Sequence, residues 1–418
     1  MADSADGPAQ QQHRVKKRDV YYVSGFDPKG AAWYHHTYQS EAPKQAALGG
    51  YRIETNARQR QGGHVARWSV HYEDSGGSVD TIYDFLRWDD IMRANWPRGA
   101  FAMQWLMLRT YWRYLTTGIL WRVLKLTWAT FIAAIYPAGL LIAISLLALI
   151  VIGLCGLIAW LVSIPVWIGL ILGLPLAYCV MVYGSPWLEK AYGAQWLVRI
   201  YAFNLKQARR AVPELETRLD SFAQHIVTRS QSADADEILI VGHSTGTQTA
   251  ISLIDRVLRL DPLFARRSAQ VSFLTLGGSI PMMGWQPEAQ WFREAVKRIV
   301  DEPRLDWLDF TVAQDGATFA LQDPVKQLGL RAETGEDDKP KLLSTKLFDL
   351  FTPETFKAVH RDWRRVHFHY LMASERAADY DYFAITAGPQ TLAQRYAHRA
   401  TTVKFDRFRL KILRKFDP

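Results

Sequence analysis

The sequence predicts an α/β fold: a mostly parallel sheet with helices on both faces, and an inserted two-helix transmembrane hairpin. Strand-like apolar runs alternate with helical runs in the second half of the chain, a pattern typical of parallel sheets. Residues 126–188 contain no Asp, Glu, Lys or Arg. The chain has 418 residues, enough for one large domain and an insert.

The composition favours a folded, membrane-associated protein. It is 49% hydrophobic, with 16 Trp, 18 Tyr and 19 Phe, side chains that build cores and lie at membrane interfaces. The net charge of +9 has no nucleic-acid-binding motif beside it, and many bases flank the apolar run, so we predict a lipid bilayer as partner and no nucleic acid. Cys155 and Cys179 both lie in the apolar run, which argues against a disulfide framework or a zinc site. The oligomeric state is not predicted.

The first third of the chain combines a tail with early strands. Residues 1–19 are polar and lack the apolar core of a secretory signal, and we predict a flexible tail there. Residues 20–26 form an apolar run that ends in a Gly-containing turn, and residues 64–74 alternate apolar and polar side chains. Both are predicted strands. Residues 81–96 space their apolar side chains at helical intervals and predict a helix.

The uncharged run is long enough for two membrane spans of about 20 residues each. We predict spans at 127–150 and 157–183, with a turn at 153–156. Basic residues precede and follow the run, which predicts that both ends face the cytoplasm. Residues 20–125 and 189–418 would then combine into one domain around the hairpin, residues 126–188. The alternatives are a re-entrant or monotopic hairpin and a buried helix pair.

Strand and helix patterns alternate beyond the hairpin. Helical spacing covers residues 191–229 with an interruption near Pro213, and a further helical region lies late in the chain. The charge-rich residues 333–341 predict a solvated loop. Strands are predicted at 237–241, 271–278 and 307–312, and helices at 247–260 and 287–300.

The central motif is Gly242-His243-Ser244-Thr245-Gly246. It follows the apolar run EILIV and precedes the helical run TQTAISLIDRVL, which is the strand-turn-helix context of a nucleophile elbow. Glycines leave room at so sharp a turn, and the helix N-terminus directs free N–H groups at a developing oxyanion. The sequence from about residue 20 to 397, without the apolar insert, therefore resembles the α/β-hydrolase superfamily of lipases and esterases, with Ser244 as nucleophile.

That resemblance implies an oxyanion hole made by two backbone amides. One follows the nucleophile and is Thr245. The other lies in a loop after an early strand, where Ser24-Gly25-Phe26 stands in place of the superfamily's common His-Gly, so Phe26 is the matching donor. The resemblance implies no cofactor and no metal.

The resemblance also implies that an acid and then a histidine follow the serine, because a base must activate the hydroxyl and a carboxylate must orient the base. Asp315 stands just past the end of the predicted strand at 307–312 and is the predicted acid, with Asp323 as the alternative. We predict His367 as the base, because it opens an apolar stretch where the chain enters its last helix and because Tyr370 would share its helical face. The other downstream histidines are His360, His369 and His398.

A few further polar and sulfur side chains receive structural interpretations. Neighbouring acidic side chains on a helix point apart, so we predict that Asp89 and Asp90 belong to a solvated helix face. His243 is interpreted as filler inside the elbow, and no metal-ligand spacing links it to His35 and His36. Met282 and Met283 would pack in the core or line an acyl pocket.

Together these features predict a membrane-anchored serine hydrolase that cleaves an ester or thioester of an apolar acyl substrate through an acyl-enzyme. An acyltransferase with the same three residues is one alternative. The other is a membrane scaffold that keeps the fold without turnover.

Overall fold

The computed structural model describes residues 14–62 and 64–409. Within these residues the protein has a mixed α/β fold built on one mostly parallel sheet. The strands of that sheet are β1 (Lys17–Val23), β2 (Arg52–Thr55), β3 (Gln59–Gln61), β4 (Val65–Asp74), β5 (Gly77–Leu86), β6 (Glu237–His243), β7 (Gln270–Leu276), β8 (Leu305–Thr311) and β9 (Lys341–Ser344).

Helices cover the sheet and fill the connections between strands. They are α1 (Gly30–Gly49), α2 (Asp89–Ala94), α3 (Ala100–Thr116), α4 (Ile119–Leu126), α5 (Trp128–Leu161), α6 (Val166–Tyr192), α7 (Ala194–Ala208), α8 (Pro213–Ser232), α9 (Gly246–Leu260), α10 (Ile280–Gly284), α11 (Gln290–Asp301), α12 (Pro324–Gln327), α13 (Leu347–Leu350), α14 (Pro353–Arg361), α15 (Trp363–Phe368), α16 (Tyr382–Ala387) and α17 (Leu392–Arg395).

The strand order is β2-β4-β5-β1-β6-β7-β8-β9, with β3 paired to β4. From β5 through β1 to β9 neighbouring strands are parallel, whereas β2, β3 and β5 pair with β4 in antiparallel fashion. Strand β1 lies between β5 and β6, so strands from before and after the apolar helices share one sheet. The carboxyl ends of the parallel strands meet at one edge, where sites form in such folds.

Most predicted strands are confirmed within a few residues. Strand β1 begins at Lys17, inside the segment predicted as tail, and residues 1–13 of that segment lie outside the described residues. The predicted helix at 81–96 is wrong, because Thr81 to Leu86 belong to β5 and only Asp89–Ala94 is helical. The apolar spacing in this segment fits the period of a helix as well as that of a strand. The segment becomes a strand because β5 forms backbone hydrogen bonds with both β1 and β4.

In the second half, the predicted elements are found in their predicted order. The helical region 191–229 divides into α7 and α8, and α8 begins at Pro213, as expected from the fixed φ of proline at a helix start. Strand β9 was not predicted, and its first residue Lys341 ends the charge-rich segment that was predicted as a loop.

The apolar run forms two consecutive helices, α5 and α6, each long and apolar enough by length and composition to cross a membrane. The predicted turn at 153–156 is wrong, because α5 continues to Leu161 and the turn lies at 162–165. Ser163 adopts a positive φ of 60° there and Pro165 precedes α6. The glycines instead let the helices approach closely: a Cβ at Gly169 would lie 2.3 Å from the Cys155 carbonyl oxygen.

Candidate active site

Three predicted side chains converge at the carboxyl edge of the sheet. Ser244 lies between β6 and α9, Asp315 follows β8, and His367 belongs to α15. His367 Nε2 is 2.8 Å from Ser244 Oγ, and His367 Nδ1 is 2.8 Å from Asp315 Oδ2. A carboxylate only accepts, so Nδ1–H donates to Asp315 and Nε2 accepts from the serine hydroxyl. The structure therefore joins the three in one hydrogen-bonded chain, and their catalytic roles stay predictions.

Ser244 occupies a sharp turn that its neighbours make possible. Its φ is 58°, a left-handed conformation that is uncommon for a residue with a side chain. A Cβ at Gly246 would lie 2.3 Å from the Val23 carbonyl oxygen, and one at Gly242 would lie 2.7 Å from Thr247 Cα. The glycines of the motif are thus required by backbone packing on both sides of Ser244.

The loop after β1 passes directly against this turn. A Cβ at Gly25 would lie 2.8 Å from Ser244 Cβ, so only glycine fits beside the serine. The Phe26 amide donates a hydrogen bond to Thr245 Oγ1 at 2.8 Å, whereas within the described chain the Thr245 amide has no protein acceptor. The two predicted oxyanion donors are therefore adjacent to Ser244, but Phe26 N–H is already bonded.

Asp315 is buried and held by several donors. Its Oδ1 accepts from the Ala317 amide at 3.1 Å, and Tyr370 Oη lies 3.4 Å from its Oδ2. The alternative acid, Asp323, accepts from the Val325 amide as the cap of α12 and forms an ion pair with Arg331. Asp323 therefore belongs to a separate set of contacts, which caps α12 and binds Arg331 and does not include Ser244.

The other downstream histidines do not contact Ser244. His369 is buried, its Nδ1–H donates to the Val366 carbonyl, and its Nε2 accepts from the Thr345 hydroxyl at 2.8 Å. Burial lowers the pKa of His369 to about 4, so it is neutral near pH 7. His360 is exposed and stacks on Phe356, and His398 is exposed and pairs with Asp379.

The helical argument for His367 holds only in part. Helix α15 ends at Phe368, and residues 369–371 form a short 3₁₀ turn, so Tyr370 does not continue a helical face of His367. Tyr370 instead supports the site through its hydroxyl near Asp315.

His243 is a residue whose contribution the sequence did not reveal. It is buried, its Nε2–H donates to the His367 carbonyl at 3.0 Å, and the two imidazole rings lie 5.2 Å apart. Burial lowers the pKa of His243 well below its usual value, which keeps the ring neutral. The sequence signal that could have indicated this role is the position of His243 next to Ser244 in the motif. The hydrogen bond from its ring holds the backbone that carries His367.

A narrow cleft opens onto Ser244 and His367. Its walls are mostly apolar and include Ile200 from α7, Met282 from α10, Phe319 and, from α5, Ala134. Met283, by contrast, packs in the core. Thr130 on α5 also lines the cleft, and its hydroxyl donates to the Thr318 carbonyl at 2.7 Å. This hydrogen bond joins α5, the first apolar helix, to the loop that carries Asp315.

The acidic pair at 89–90 is divided between two ion-pair networks. Asp90 pairs with Arg218 at the surface, but Asp89 is buried and pairs with Arg93, so the predicted solvated face is wrong for Asp89. Across residues 14–62 and 64–409, no three His, Cys, Asp or Glu side chains are grouped as a metal site would require.

Comparisons of the chain with protein-family models, with curated proteins and with solved structures give no match. The class of site is therefore defined by its own geometry: a serine at a strand-to-helix turn, hydrogen-bonded to a buried histidine and carboxylate at the carboxyl edge of a mostly parallel sheet.

Proposed function

We propose that this protein is a membrane-anchored serine hydrolase of the α/β-hydrolase type that cleaves an ester or thioester of an apolar acyl substrate. The observation that carries the proposal is the Ser244–His367–Asp315 hydrogen-bonded chain, with both distances at 2.8 Å, because this geometry is what activation of a serine hydroxyl needs.

In the proposed reaction Ser244 Oγ attacks the substrate carbonyl while His367 Nε2 takes the hydroxyl proton. Asp315 stabilises the imidazolium through Nδ1–H. The negative charge on the former carbonyl oxygen is met by the Thr245 amide and, once it leaves Thr245 Oγ1, by the Phe26 amide. Collapse expels the alcohol or thiol, which receives the proton from His367. Water activated by the same histidine then releases the acid and restores Ser244.

The cleft supports an apolar acyl group as substrate. Ile200, Met282 and Phe319 offer apolar side chains beside Ser244, and Ala134 brings the wall of a membrane-type helix to the same cleft. Because α5 continues from this cleft into the predicted membrane span, the site would lie close to an apolar substrate held in the bilayer. Esters of increasing acyl length should show kcat/KM rising with chain length up to the capacity of the cleft.

A fluorophosphonate probe tests the proposed chemistry directly. We expect it to label the wild-type protein in detergent and to leave Ser244→Ala unlabelled, since only an activated serine reacts. Asp323→Asn serves as the matched control and should still be labelled. Absence of labelling in a folded wild-type protein would contradict the proposal and favour a scaffold without turnover.

We further propose that the sheet domain faces the cytoplasm. Arg122 and Lys125 precede α5, and Lys190 lies at the end of α6, and such bases are retained on the cytoplasmic side. Reporter domains fused before residue 98 and after residue 409 should both report the cytoplasm. Reporters on opposite sides would contradict a two-span hairpin.

A further inference from the structure

Helix α3 carries a stripe of apolar side chains that the described part of the chain leaves largely exposed. The stripe consists of residues spaced three or four apart, which share one helical face, and each is between 54% and 70% exposed. Its members are Phe101, Trp105, Leu108, Trp112 and Leu115. A contiguous apolar patch of this kind marks an interaction surface.

The opposite face of α3 packs along the first half of α5. Gln104 Nε2 donates to the Leu141 carbonyl at 2.9 Å, and Tyr111 Oη donates to the Ala134 carbonyl at 2.5 Å. As the residue number rises on α3 it falls on α5, so the helices are antiparallel. The amino end of α3 therefore points toward the turn between α5 and α6. Phe101 stacks on Tyr178 of α6, with ring centroids 6.2 Å apart, which extends the contact to both apolar helices.

Exposed aromatic side chains locate the membrane boundaries. Trp160 and Trp167 flank the turn between α5 and α6, and Tyr183 and Trp187 lie toward the other end of α6. A hydrocarbon thickness of about 30 Å corresponds to roughly 20 helical residues. Counted back from Trp160 along α5, that distance ends beside Leu141, which is the level of Gln104 on α3. The amino end of the stripe thus lies at the boundary set by Tyr183 and Trp187, as Trp and Tyr do at membrane interfaces.

The charge around the stripe fits an anionic lipid surface. Residues 91–188 contain no Asp or Glu. Arg109, Arg122 and Lys125 are exposed, and in the described part of the chain no carboxylate pairs with them. Basic side chains beside exposed aromatic side chains are typical of helices that lie in the headgroup region.

We propose that α3 is a third lipid-contacting helix, which enters the proximal leaflet beside α5 and α6. Acyl chains cover the Phe101 end, which lies deepest, and the stripe continues through the headgroup region toward Leu115, which lies farthest from the hydrocarbon. Arg109, Arg122 and Lys125 bind anionic headgroups. The proposal needs the hairpin in the membrane but is independent of any activity of Ser244.

Depth-dependent quenching of a fluorophore tests this placement. The background is Cys155→Ala with Cys179→Ala, and single cysteines are introduced as Phe101→Cys, Leu108→Cys or Leu115→Cys. Each is labelled with an environment-sensitive dye and reconstituted in vesicles of equal parts phosphatidylcholine and phosphatidylglycerol. The vesicles contain doxyl lipids with the quencher deep in the chains or near the headgroups.

We expect quenching to fall along the stripe from Phe101→Cys through Leu108→Cys to Leu115→Cys, with the deep quencher effective mainly at Phe101→Cys and the shallow quencher effective at both Phe101→Cys and Leu108→Cys. The control is Leu263→Cys, because Leu263 is also exposed but follows α9 at the opposite edge of the sheet. Its quenching should be severalfold weaker. The replaced side chains are exposed, so folding should survive, and Trp105→Cys and Trp112→Cys replace any position that fails a thermal-unfolding check.

Quenching no stronger at the three stripe positions than at Leu263→Cys would overturn the proposal. Weak lipid quenching combined with energy transfer between labels on different molecules would overturn it as well and would assign the stripe to a second copy of the chain. Equal quenching by the deep and the shallow doxyl lipid at every position would contradict an α3 that runs along the membrane normal with its Phe101 end deepest.

Discussion

The Phe26 amide donates a hydrogen bond to the Thr245 hydroxyl at 2.8 Å, so the two residues predicted to bind an oxyanion are bonded to each other. The bond ties the loop after β1 to the turn that carries Ser244. A hydroxyl that accepts from Phe26 keeps its own proton free for another acceptor. Under the proposed function, the bond holds the Phe26 amide in place until the oxyanion forms.

The first prediction concerns this bond. Thr245→Val removes the acceptor, leaves a buried N–H without a partner at a cost of about 1–3 kcal/mol, and releases the loop beside Ser244. We expect kcat on an acyl ester to fall by about 10²-fold, as when one oxyanion donor is lost. Thr245→Ser keeps the hydroxyl and should remain near wild type. A kcat above wild type in Thr245→Val would mean that the hydroxyl competes with the oxyanion for the amide.

The second prediction separates two neighbouring histidines. His367→Ala removes the group that contacts Ser244 and should lower kcat by about 10⁴-fold or more. His369→Ala removes a buried ring that bonds Thr345, so it should lower the melting temperature while kcat of the folded fraction stays within about tenfold. Because burial holds the pKa of His369 near 4, its loss should not alter the pH profile near neutrality. Loss of turnover only in folded His369→Ala would transfer the role of base to that residue.

The third prediction separates two buried carboxylates. Asp315→Asn leaves the shape of the site but loses the charge that orients His367, and kcat should fall by about 10⁴-fold with little change in melting temperature. Asp323→Ala removes the cap of α12 and the partner of Arg331. It should destabilise by about 3 kcal/mol and leave kcat unchanged at a temperature where it is folded. Similar kinetics for the two variants would argue against Asp315 as the acid.

The convergence of the predicted site residues follows from rules that a sequence carries. Ser244 and Asp315 each follow an apolar strand, and the carboxyl ends of parallel strands share one edge. Of the two neighbouring histidines, His367 and not His369 contacts Ser244, and its role as the base stays a prediction. The order of elements in the second half was predictable because long apolar runs and helical runs there do not overlap.

The features that the sequence did not predict depend on tertiary contacts, which leave no local signal in the sequence. Tyr83 and Phe85 fit a helical period as well as a strand, and only pairing with β1 and β4 selected the strand. The bond between Phe26 and Thr245 joins two loops far apart in the chain, and its length is fixed by backbone positions that sequence patterns do not specify. The turn was predicted at Gly156 because glycine is common in turns. In the structure this glycine lies inside α5, where its lack of a side chain makes room for Leu170 of α6.

The fourth prediction concerns pH and stability. Asp309 is buried in β8, accepts from the Thr275 hydroxyl, and burial raises its pKa to about 7, whereas in an unfolded chain the value is about 3.9. The folded state therefore holds a proton that the unfolded state has lost between these values. The stability from the protonated form is complete below about pH 4 and is lost as pH rises through about 7.

Asp309→Asn should remove this dependence, because the neutral amide replaces the protonated acid at every pH. We expect the free energy of unfolding of the variant, relative to wild type, to rise by about 1.4 kcal/mol per pH unit from pH 5 to about pH 7 and then to level off, with a parallel rise in its relative melting temperature. Asp301→Asn, at an exposed ion pair with Lys297, should show no such trend. A constant difference between Asp309→Asn and wild type across pH would show that Asp309 does not titrate there.

The last prediction tests the packing of the hairpin through two glycines on its helices. A Cβ at Gly169 would lie 2.3 Å from the Cys155 carbonyl oxygen and 2.6 Å from Ala159 Cβ, whereas one at Gly139 would have nothing within 4 Å. Gly169→Ala must therefore push α5 and α6 apart, and overpacking of this kind costs about 1–3 kcal/mol. Gly139→Ala adds the same methyl group in open space and removes backbone freedom, which stabilises a helix by roughly 0.5–1 kcal/mol. Thermal unfolding in detergent and in lipid nanodiscs should show a lower melting temperature for Gly169→Ala and an unchanged or higher one for Gly139→Ala. If the two variants unfolded alike in nanodiscs, α5 and α6 would not be in close contact within the bilayer, and the hairpin would be held by its attachment to the sheet domain alone.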